Sequence, residues 1–157
     1  AAGATGPIGP VGWDDTRGCN LDASAISLTA ATWTQIPLDC LEMDNGGTNT
    51  TFQGGSGNLS IPAGAVYYMS INIEGDNVTA PNNIKSIYLE FRPSGGGIVF
   101  RRSAYVPSEI SALANNTRIR TSMSAIKSLS AQAYSIFVWS EQAITIDLEG
   151  VVLRLNP

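Results

Sequence analysis

The 157-residue chain contains no histidine, and this absence removes several kinds of chemistry. Without an imidazole there is no Ser-His-Asp or Cys-His nucleophile pair, no His-based zinc site and no side chain whose ordinary pKa lies near neutrality. No apolar run approaches the roughly 20 residues that a transmembrane helix needs. The sequence therefore predicts neither a histidine-dependent enzyme nor membrane insertion.

Charge is also scarce, because Asp, Glu, Lys and Arg make up only 14% of the residues. An ordinary soluble domain has about 25%. The 13 acidic and 9 basic residues leave a net charge of -4, the opposite of the basic surface that nucleic-acid binding needs. A chain with so few charges either exposes a neutral surface or covers part of that surface with copies of itself. We therefore predict self-association and no nucleic-acid partner.

No motif for a cofactor, a metal or catalysis is present. The Asp and Asn residues at positions 44–49 lack the spacing of a calcium loop and favour plain turns. The acidic residues are scattered singly, so nothing favours the paired carboxylates of a glycosidase. We predict a protein that is not an enzyme, and a depolymerase that cleaves host glycan is the enzymatic alternative.

Glycine recurs at every third position over the first twelve residues, at Gly3, Gly6, Gly9 and Gly12. A proline follows directly after the second and the third of these glycines. Strict Gly-X-Y with Pro is typical of collagen, since only glycine fits on the axis where three chains meet. The third position of each triplet is never Pro, a pattern that resembles the collagen-like segments of bacteria and their viruses. We predict that residues 1–12 are the end of a collagen-like stalk, with chance spacing as the alternative.

From residue 13 onwards, apolar and polar residues alternate in short runs that turn residues separate. These runs fall at residues 25–29, 34–40, 59–61, 66–73, 87–92, 98–102, 118–123, 134–139, 144–148 and 151–155. The run at 134–139 is almost continuously apolar, which predicts a strand buried on both faces. Only residues 107–116 favour a helical turn. The pattern predicts one all-β domain over residues 13–157, a β-sandwich or a barrel.

Four segments of this domain resemble the jelly-roll domains of phage tail-fibre and spike proteins. They are residues 13–15 (WDD), 28–38 (LTAATWTQIPL), 61–68 (IPAGAVYY) and 129–139 (LSAQAYSIFVW). A collagen-like lead into one compact β domain is also the architecture of the trimeric tumour-necrosis-factor and complement-head families. The resemblance implies a homotrimeric jelly-roll β-sandwich that stands on a stalk and works by binding.

A head of this kind implies a bacteriophage fibre, spike or capsid-decorating protein on the virion surface that attaches to the host. Its partners would be its own copies, a glycan or protein of the host surface, and other virion proteins reached through the stalk. Receptor contacts would lie on loop tips, at residues 46–56, 75–83, 93–97 and 108–116. The alternatives are a collagen-like adhesin on a bacterial cell or spore surface and a purely structural protein that cements a virion.

Arginine outnumbers lysine seven to two, and four arginines form two close pairs. These are Arg101 with Arg102 and Arg118 with Arg120. Guanidinium groups bind carboxylate and phosphate oxygens bidentately, so the four residues are candidate contacts to an anionic glycan or a phosphate. The alternative is a solvated or inter-subunit surface on which they pair with carboxylates such as Glu90.

The chain has two cysteines, Cys19 and Cys40. A disulfide between them would close a loop of about 20 residues and add on the order of 3 kcal/mol of stability. Because Cys40 alternates in phase with Ile36 and Leu38, a buried free thiol is the alternative, and assembly in a reducing cytoplasm would favour it.

The aromatic residues and the Asn-x-Ser/Thr triplets have more than one interpretation. Trp13 and Trp33 stand near the predicted stalk junction and are expected to pack at the base of the trimer. The residues expected in the core or at the three-fold interface are Tyr67, Tyr68, Tyr88, Tyr134 and Phe137. Triplets begin at Asn49, Asn58, Asn77 and Asn115, and they are glycosylation sites in a secreted animal protein or chance matches in a viral one.

Overall fold

Alternating apolar and polar residues produce ten β-strands in the computed structural model, which describes residues 16–78, 86–105 and 117–155. The strands are β1 (Gly18–Leu28), β2 (Thr34–Ile36), β3 (Asp39–Leu41), β4 (Leu59–Ile61), β5 (Ala65–Val78), β6 (Ser86–Pro93), β7 (Phe100–Tyr105), β8 (Thr117–Leu129), β9 (Gln132–Ser140) and β10 (Ile144–Arg154). Within these three ranges the helical structure is limited to one 3₁₀ turn at Gly55–Gly57, and no helix is long and apolar enough to cross a bilayer. The prediction of an all-β domain is confirmed.

The strands form two antiparallel sheets. Sheet A has the order β3-β1-β10-β5-β8, and sheet B has the order β2-β9-β6-β7, with β4 also paired to β9. Many neighbours come from distant parts of the chain, since β1 pairs with β10 and places Gly18 opposite Leu153. Such connections are typical of a sandwich rather than of consecutive hairpins.

The predicted run at residues 34–40 is divided between the two sheets. Its first part is β2 in sheet B, and its second part is β3 in sheet A. Pro37 lies between them and has no N–H group for a ladder, and the Leu38 N–H donates instead to the carbonyl oxygen of Gly57 at 2.9 Å. The chain therefore crosses from one sheet to the other at Pro37.

The core lies between the sheets and takes alternate residues from each strand. In β5 the core side chains include Tyr67, Met69, Ile71 and Ile73, and in β6 they are Ile87, Leu89 and Phe91. The ring of Phe91 stacks on Phe100 and on Tyr134, with centroid distances of 5.4 Å and 4.8 Å. The period of two predicts these inward faces correctly.

The last two strands differ from the sequence predictions. In β9, Tyr134, Ile136 and Val138 are buried, whereas Phe137 and Trp139 are half-buried on the outer face of sheet B. The prediction of a strand buried on both faces is wrong. The run of apolar residues is almost continuous because the aromatic side chains of Phe137 and Trp139 cover the outer face of the sheet. The two runs predicted at 144–148 and 151–155 form one strand, β10, which continues through Gly150.

Several predictions fall on residues outside the described ranges. They are the collagen-like glycines Gly3, Gly6, Gly9 and Gly12, the junction residue Trp13, the helical turn at 107–116, and the triplet at Asn115. The triplet at Asn49 is described, and its side chain is buried. The Asn49 amide donates to the carbonyl oxygen of Gly18 at 3.0 Å and accepts from the N–H of Thr51 at 3.1 Å, so it holds the loop after β3 against β1. A glycan at Asn49 is incompatible with this packing.

A substitution at Gly150 tests how closely β10 and β5 approach each other. A Cβ atom at Gly150 would lie 2.5 Å from the carbonyl oxygen of Ser70, whereas a Cβ at Gly95 would have no neighbour within 4 Å. We expect Gly150→Ala to lower the free energy of unfolding by about 1–3 kcal/mol, because the strands must move apart. Gly95→Ala is the matched control and should change it little. Denaturant unfolding of both variants measures the difference, and equal stabilities would contradict the close approach.

Candidate functional site

The outer face of sheet B carries a row of side chains that the strand register brings together. Glu90 of β6 lies opposite Arg101 of β7 and opposite Phe137 of β9, and Phe137 lies opposite Gln35 of β2. Their immediate chain neighbours Leu89, Phe91, Ile36, Ile136 and Val138 are buried in the core. Alternation therefore turns the row outward. Arg92 and Trp33 complete the group, and we call Trp33, Glu90, Arg92, Arg101 and Phe137 the aromatic–arginine cluster.

Glu90 lies at the bottom of the cluster, with a side chain that is 0% exposed. Its Oε1 atom accepts a hydrogen bond from Nε of Arg101 at 2.6 Å and another from Nη2 of the same guanidinium. Its Oε2 atom accepts from Nε of Arg92 at 2.7 Å and contacts Nη2 of Arg92 at 2.5 Å. Each carboxylate oxygen is thus paired with one guanidinium, which offsets the cost of burying the charge.

The two guanidinium groups also lie over aromatic rings. Cζ of Arg92 is 4.1 Å from the centroid of the Phe137 ring and 5.4 Å from that of Trp33. Cζ of Arg101 is 5.6 Å from the Trp33 ring. Each such contact contributes roughly 0.5–2 kcal/mol, depending on exposure. The aromatic rings therefore add to the ion pairs that hold both arginines over this face of the sheet.

Trp33 lies on the outer face of sheet B, where it contacts Arg92 and Arg101. The loop that carries it is tied to the end of β9, because the Ala31 N–H donates to the carbonyl oxygen of Ser140 at 2.8 Å. The packing of Trp33 at the base of a trimer remains a prediction.

The charge on Glu90 is stabilised despite its burial. Burial by itself would raise the pKa of this carboxyl, but the hydrogen bonds from Arg101 and Arg92 and their positive charges outweigh it. The pKa of Glu90 is therefore held below its ordinary value of 4.5, and the carboxylate is ionised at neutral pH. The cluster contains two positive charges and one negative charge.

A groove of about 420 Å³ opens beside the cluster. Its lining consists of Arg92, Pro93, Ser94, Gly96, Gly97, Ile98, Ser135 and Phe137. The turn between β6 and β7 forms one wall, and Gly96 and Gly97 have φ angles of +90° and +88°, which favour glycine. This turn is the loop tip predicted at residues 93–97. On the other side the Ser135 hydroxyl donates to Oδ1 of Asn58 at 2.7 Å, so a polar edge continues the groove.

The structure separates the four arginines that the sequence singled out. Arg101 and Arg102 are adjacent on β7 and point to opposite sides, and Nε of Arg102 donates to the carbonyl oxygen of Ser124 at 3.4 Å. Arg120 lies on sheet A and pairs with Glu74, with Nε and Oε2 3.1 Å apart. The side chain of Arg118 lies outside the described residues. A ligand contact by any of them remains a prediction.

Sequence reasoning missed that Arg92, not Arg102, is the partner of Arg101. The available signal was parity, because Glu90 and Arg92 are two residues apart and so share one face of β6. The glycine-rich turn at residues 94–97 was a second signal, since it predicts a hairpin that brings Arg101 next to this face. Trp33 gave no such signal, because it comes from a distant part of the chain.

A second groove, of about 580 Å³, lies on the outer face of sheet A. Its charged lining residues are Glu74, Arg120, Asp147 and Glu149. One carboxylate oxygen of Asp147 is occupied, since Oδ1 accepts the N–H of Ala25 at 2.7 Å. In the described part of the chain no three Cys, Asp or Glu residues are grouped so that they could hold a metal ion. The negative charge of this groove contrasts with the positive cluster on sheet B.

Cys19 and Cys40 are both buried, and both are free thiols in this structure. They lie on neighbouring strands, where Cys40 is opposite Leu21, two residues along from Cys19. A hydrogen bond with Cys40 and burial raise the pKa of the Cys19 thiol, so it stays protonated. The thiols are close together, and a disulfide between them remains a prediction.

Comparison with known proteins shows the fold. No protein-family model and no curated protein sequence matches the chain. Among solved structures, the PRD1 vertex protein P5 is 12% identical, with a TM-score of 0.61 over 90% of this chain and 98% of that chain. Eiger TNF from S. frugiperda is 8% identical, with a TM-score of 0.59 over 89% and 92%. The globular domain of zebrafish complement 1qA protein is 12% identical, with a TM-score of 0.54 over 89% and 98%. The predicted jelly roll of the tumour-necrosis-factor and complement-head type is confirmed.

The lowered pKa of Glu90 makes a prediction about stability at acid pH. A carboxyl whose pKa is lower in the folded chain stabilises the fold above its ordinary pKa, and this contribution is lost as the pH falls through the folded value. We expect Glu90→Gln to lower the free energy of unfolding by about 2 kcal/mol at neutral pH. The difference in unfolding free energy between Glu90→Gln and wild type should shrink as the pH falls below about 4.5, the ordinary pKa of the carboxyl, and through the lower pKa of the folded chain.

Denaturant unfolding at a series of pH values measures this difference in the free energy of unfolding. Glu74→Gln is the matched control, because Glu74 also pairs with an arginine but is partly exposed. Solvent screens such a pair, so Glu74→Gln should lower the free energy of unfolding by less than Glu90→Gln does. A Glu90→Gln variant whose stability runs parallel to wild type at every pH would contradict the assigned ion pairs.

Proposed function

We propose that this protein is the non-enzymatic, homotrimeric head of a bacteriophage fibre, spike or capsid-decorating protein, and that it attaches the virion to the host surface. Residues 13–157 form the head, and residues 1–12, with Gly3, Gly6, Gly9 and Gly12 on the three-fold axis, end a collagen-like stalk. The similarity to the PRD1 vertex protein P5 over 90% of the chain carries this proposal. The stalk links the head to other virion proteins.

The outer face of sheet A supports the trimer. Tyr68 of β5 lies opposite Leu153 of β10 and opposite Ile126 of β8, so three apolar side chains form one row across the sheet. Ile126 is 61% exposed. A monomer would leave this row in water, whereas contact with a second copy would bury it. The row is the proposed subunit contact.

Self-association through sheet A leaves sheet B free to bind. The aromatic–arginine cluster and its groove would then occur three times on one head, once in each subunit. Three weak sites on one body gain avidity when the receptor is repeated on the cell surface, since the second and third binding steps become intramolecular. Attachment by binding alone therefore needs no tight single site.

A charged residue in the apolar row should prevent assembly. We expect Ile126→Arg to be monomeric, because a buried arginine without a partner is costly. The matched control is Ile98→Arg, because Ile98 is also apolar and 49% exposed but lies on the β6–β7 turn of the other sheet. Light scattering at micromolar concentration measures the mass of each. A monomeric wild-type protein, or an Ile126→Arg variant that still forms trimers, would contradict the proposed contact.

Attachment is tested on the particle and on the host cell. Antibody labelling of virions, followed by electron microscopy, should show the protein on the outer surface. An excess of purified wild-type head should compete with virions for adsorption and so lower the fraction adsorbed, whereas the monomeric Ile126→Arg head should compete much less because it has lost avidity. A head that labels the virion but never binds cells would instead be a structural cement.

A further inference from the structure

We propose that the groove beside the aromatic–arginine cluster binds an acidic sugar residue of a host-surface glycan. Arg92, which lines the groove, and Arg101, which shares Glu90 with Arg92, would hold its carboxylate. This inference rests on the proposed attachment function and assigns a site and a ligand class to it. It rests on the charge of the cluster, its fixed geometry and the lining of the groove.

The charge of the cluster favours a single anion. Two guanidinium groups share one carboxylate, and in the described ranges Glu90 is the carboxylate that both contact. One positive charge therefore remains, on a chain whose net charge is -4. Each guanidinium has five N–H donors, and Nε and Nη2 of both arginines face Glu90. Among the described residues no hydrogen bond from either Nη1 group is found, so these groups can donate to a ligand that carries one negative charge.

The two arginines are held ready for such a ligand. Both guanidinium groups bind the buried carboxylate of Glu90 and lie within 5.6 Å of the centroid of an aromatic ring, Phe137 or Trp33. The side chain of Arg101 is nevertheless 55% exposed and that of Arg92 is 29% exposed, so solvent reaches both. A ligand would not have to order them, and binding loses less side-chain entropy as a result.

The lining of the groove favours a sugar over a small inorganic anion. Ile98 and the part of the Phe137 ring that Arg92 does not cover offer apolar surface to the C–H faces of a pyranose ring, and Ser94 offers a hydroxyl group to its edge. Gly96 and Gly97 have no side chains, so a ligand can approach the backbone of the turn closely. A volume of about 420 Å³ lies within the range of small-molecule sites. A free phosphate would use the arginines alone.

The test is a calorimetric titration of the full chain with two matched oligosaccharides, one that contains glucuronic acid and one that contains glucose instead. We expect the acidic ligand to bind at least about 10-fold more tightly than the neutral one, and added salt to weaken its binding. Arg101→Gln should weaken acidic binding by about 10- to 100-fold. Arg120→Gln, which removes a paired arginine on the opposite face, should leave it unchanged.

A second variant avoids any effect on the ion pairs. Ser94 is exposed at the edge of the groove, and Ser94→Glu adds a negative charge there. It should reduce acidic binding as strongly as Arg101→Gln, with an unchanged melting temperature. The site is overturned if both variants bind like wild type or if the neutral ligand binds equally well. It is also overturned if inorganic phosphate competes as effectively as the acidic oligosaccharide, which would leave a simple anion site.

Cell adsorption separates this inference from the proposed function. If wild-type and Arg101→Gln heads adsorb equally to host cells, attachment stands and the groove is not the receptor site. If the wild-type head binds the acidic oligosaccharide in solution but never adsorbs to cells, the attachment function fails and the sugar site stands.

Discussion

The two-residue period of the β-strand is the constraint on which the rest of this structure depends. In each strand every second side chain points into the core, so the side chains between them lie on the outer face of sheet A or of sheet B. On sheet A that face combines a row of apolar side chains, of which Ile126 is exposed, with an acidic groove. On sheet B it combines aromatic rings with arginines over a buried carboxylate. The two faces of one small sandwich thus differ in charge and chemistry, although the core between them is uniformly apolar.

Much of the fold could be predicted from the sequence, because alternation is a local property. The inward faces of β5 and β6 follow directly from residues such as Met69, Ile71 and Leu89. The predictions that failed concern features that depend on contacts between distant parts of the chain. The run at 134–139 looked buried on both sides, since periodicity cannot distinguish a core aromatic from Phe137 and Trp139, which cover an outer face. The change of sheet at Pro37 was equally hidden, because it depends on which distant strand offers a free edge.

The candidate site shows the same division between local and non-local information. The four candidate arginines form two pairs of close neighbours in sequence. Adjacent residues on a strand point to opposite faces, however, as Arg101 and Arg102 do. The partner of Arg101 is set by the register of β7 on β6, and Trp33 arrives from a loop near the other end of the chain. The number of arginines in the sequence was enough to suggest an anionic ligand. The position of the site could be found only once the strands were assembled into a sheet. The resemblance of four short segments predicted the jelly roll because those segments encode the fold rather than ligand contacts.

The place of β10 in sheet A has a consequence for how the protein is made. This strand is the last in the described chain, yet it lies between β1 and β5 rather than at an edge, and its register with β5 runs from Thr145 to Arg154. During synthesis sheet A therefore remains in two unconnected parts until β10 has been translated. A product that terminates before β10 would lack the centre of the sheet, and its exposed strand edges would make it a target for proteases and chaperones. The sandwich can close only after β10 has left the ribosome, so only chains that include this strand can form the complete fold.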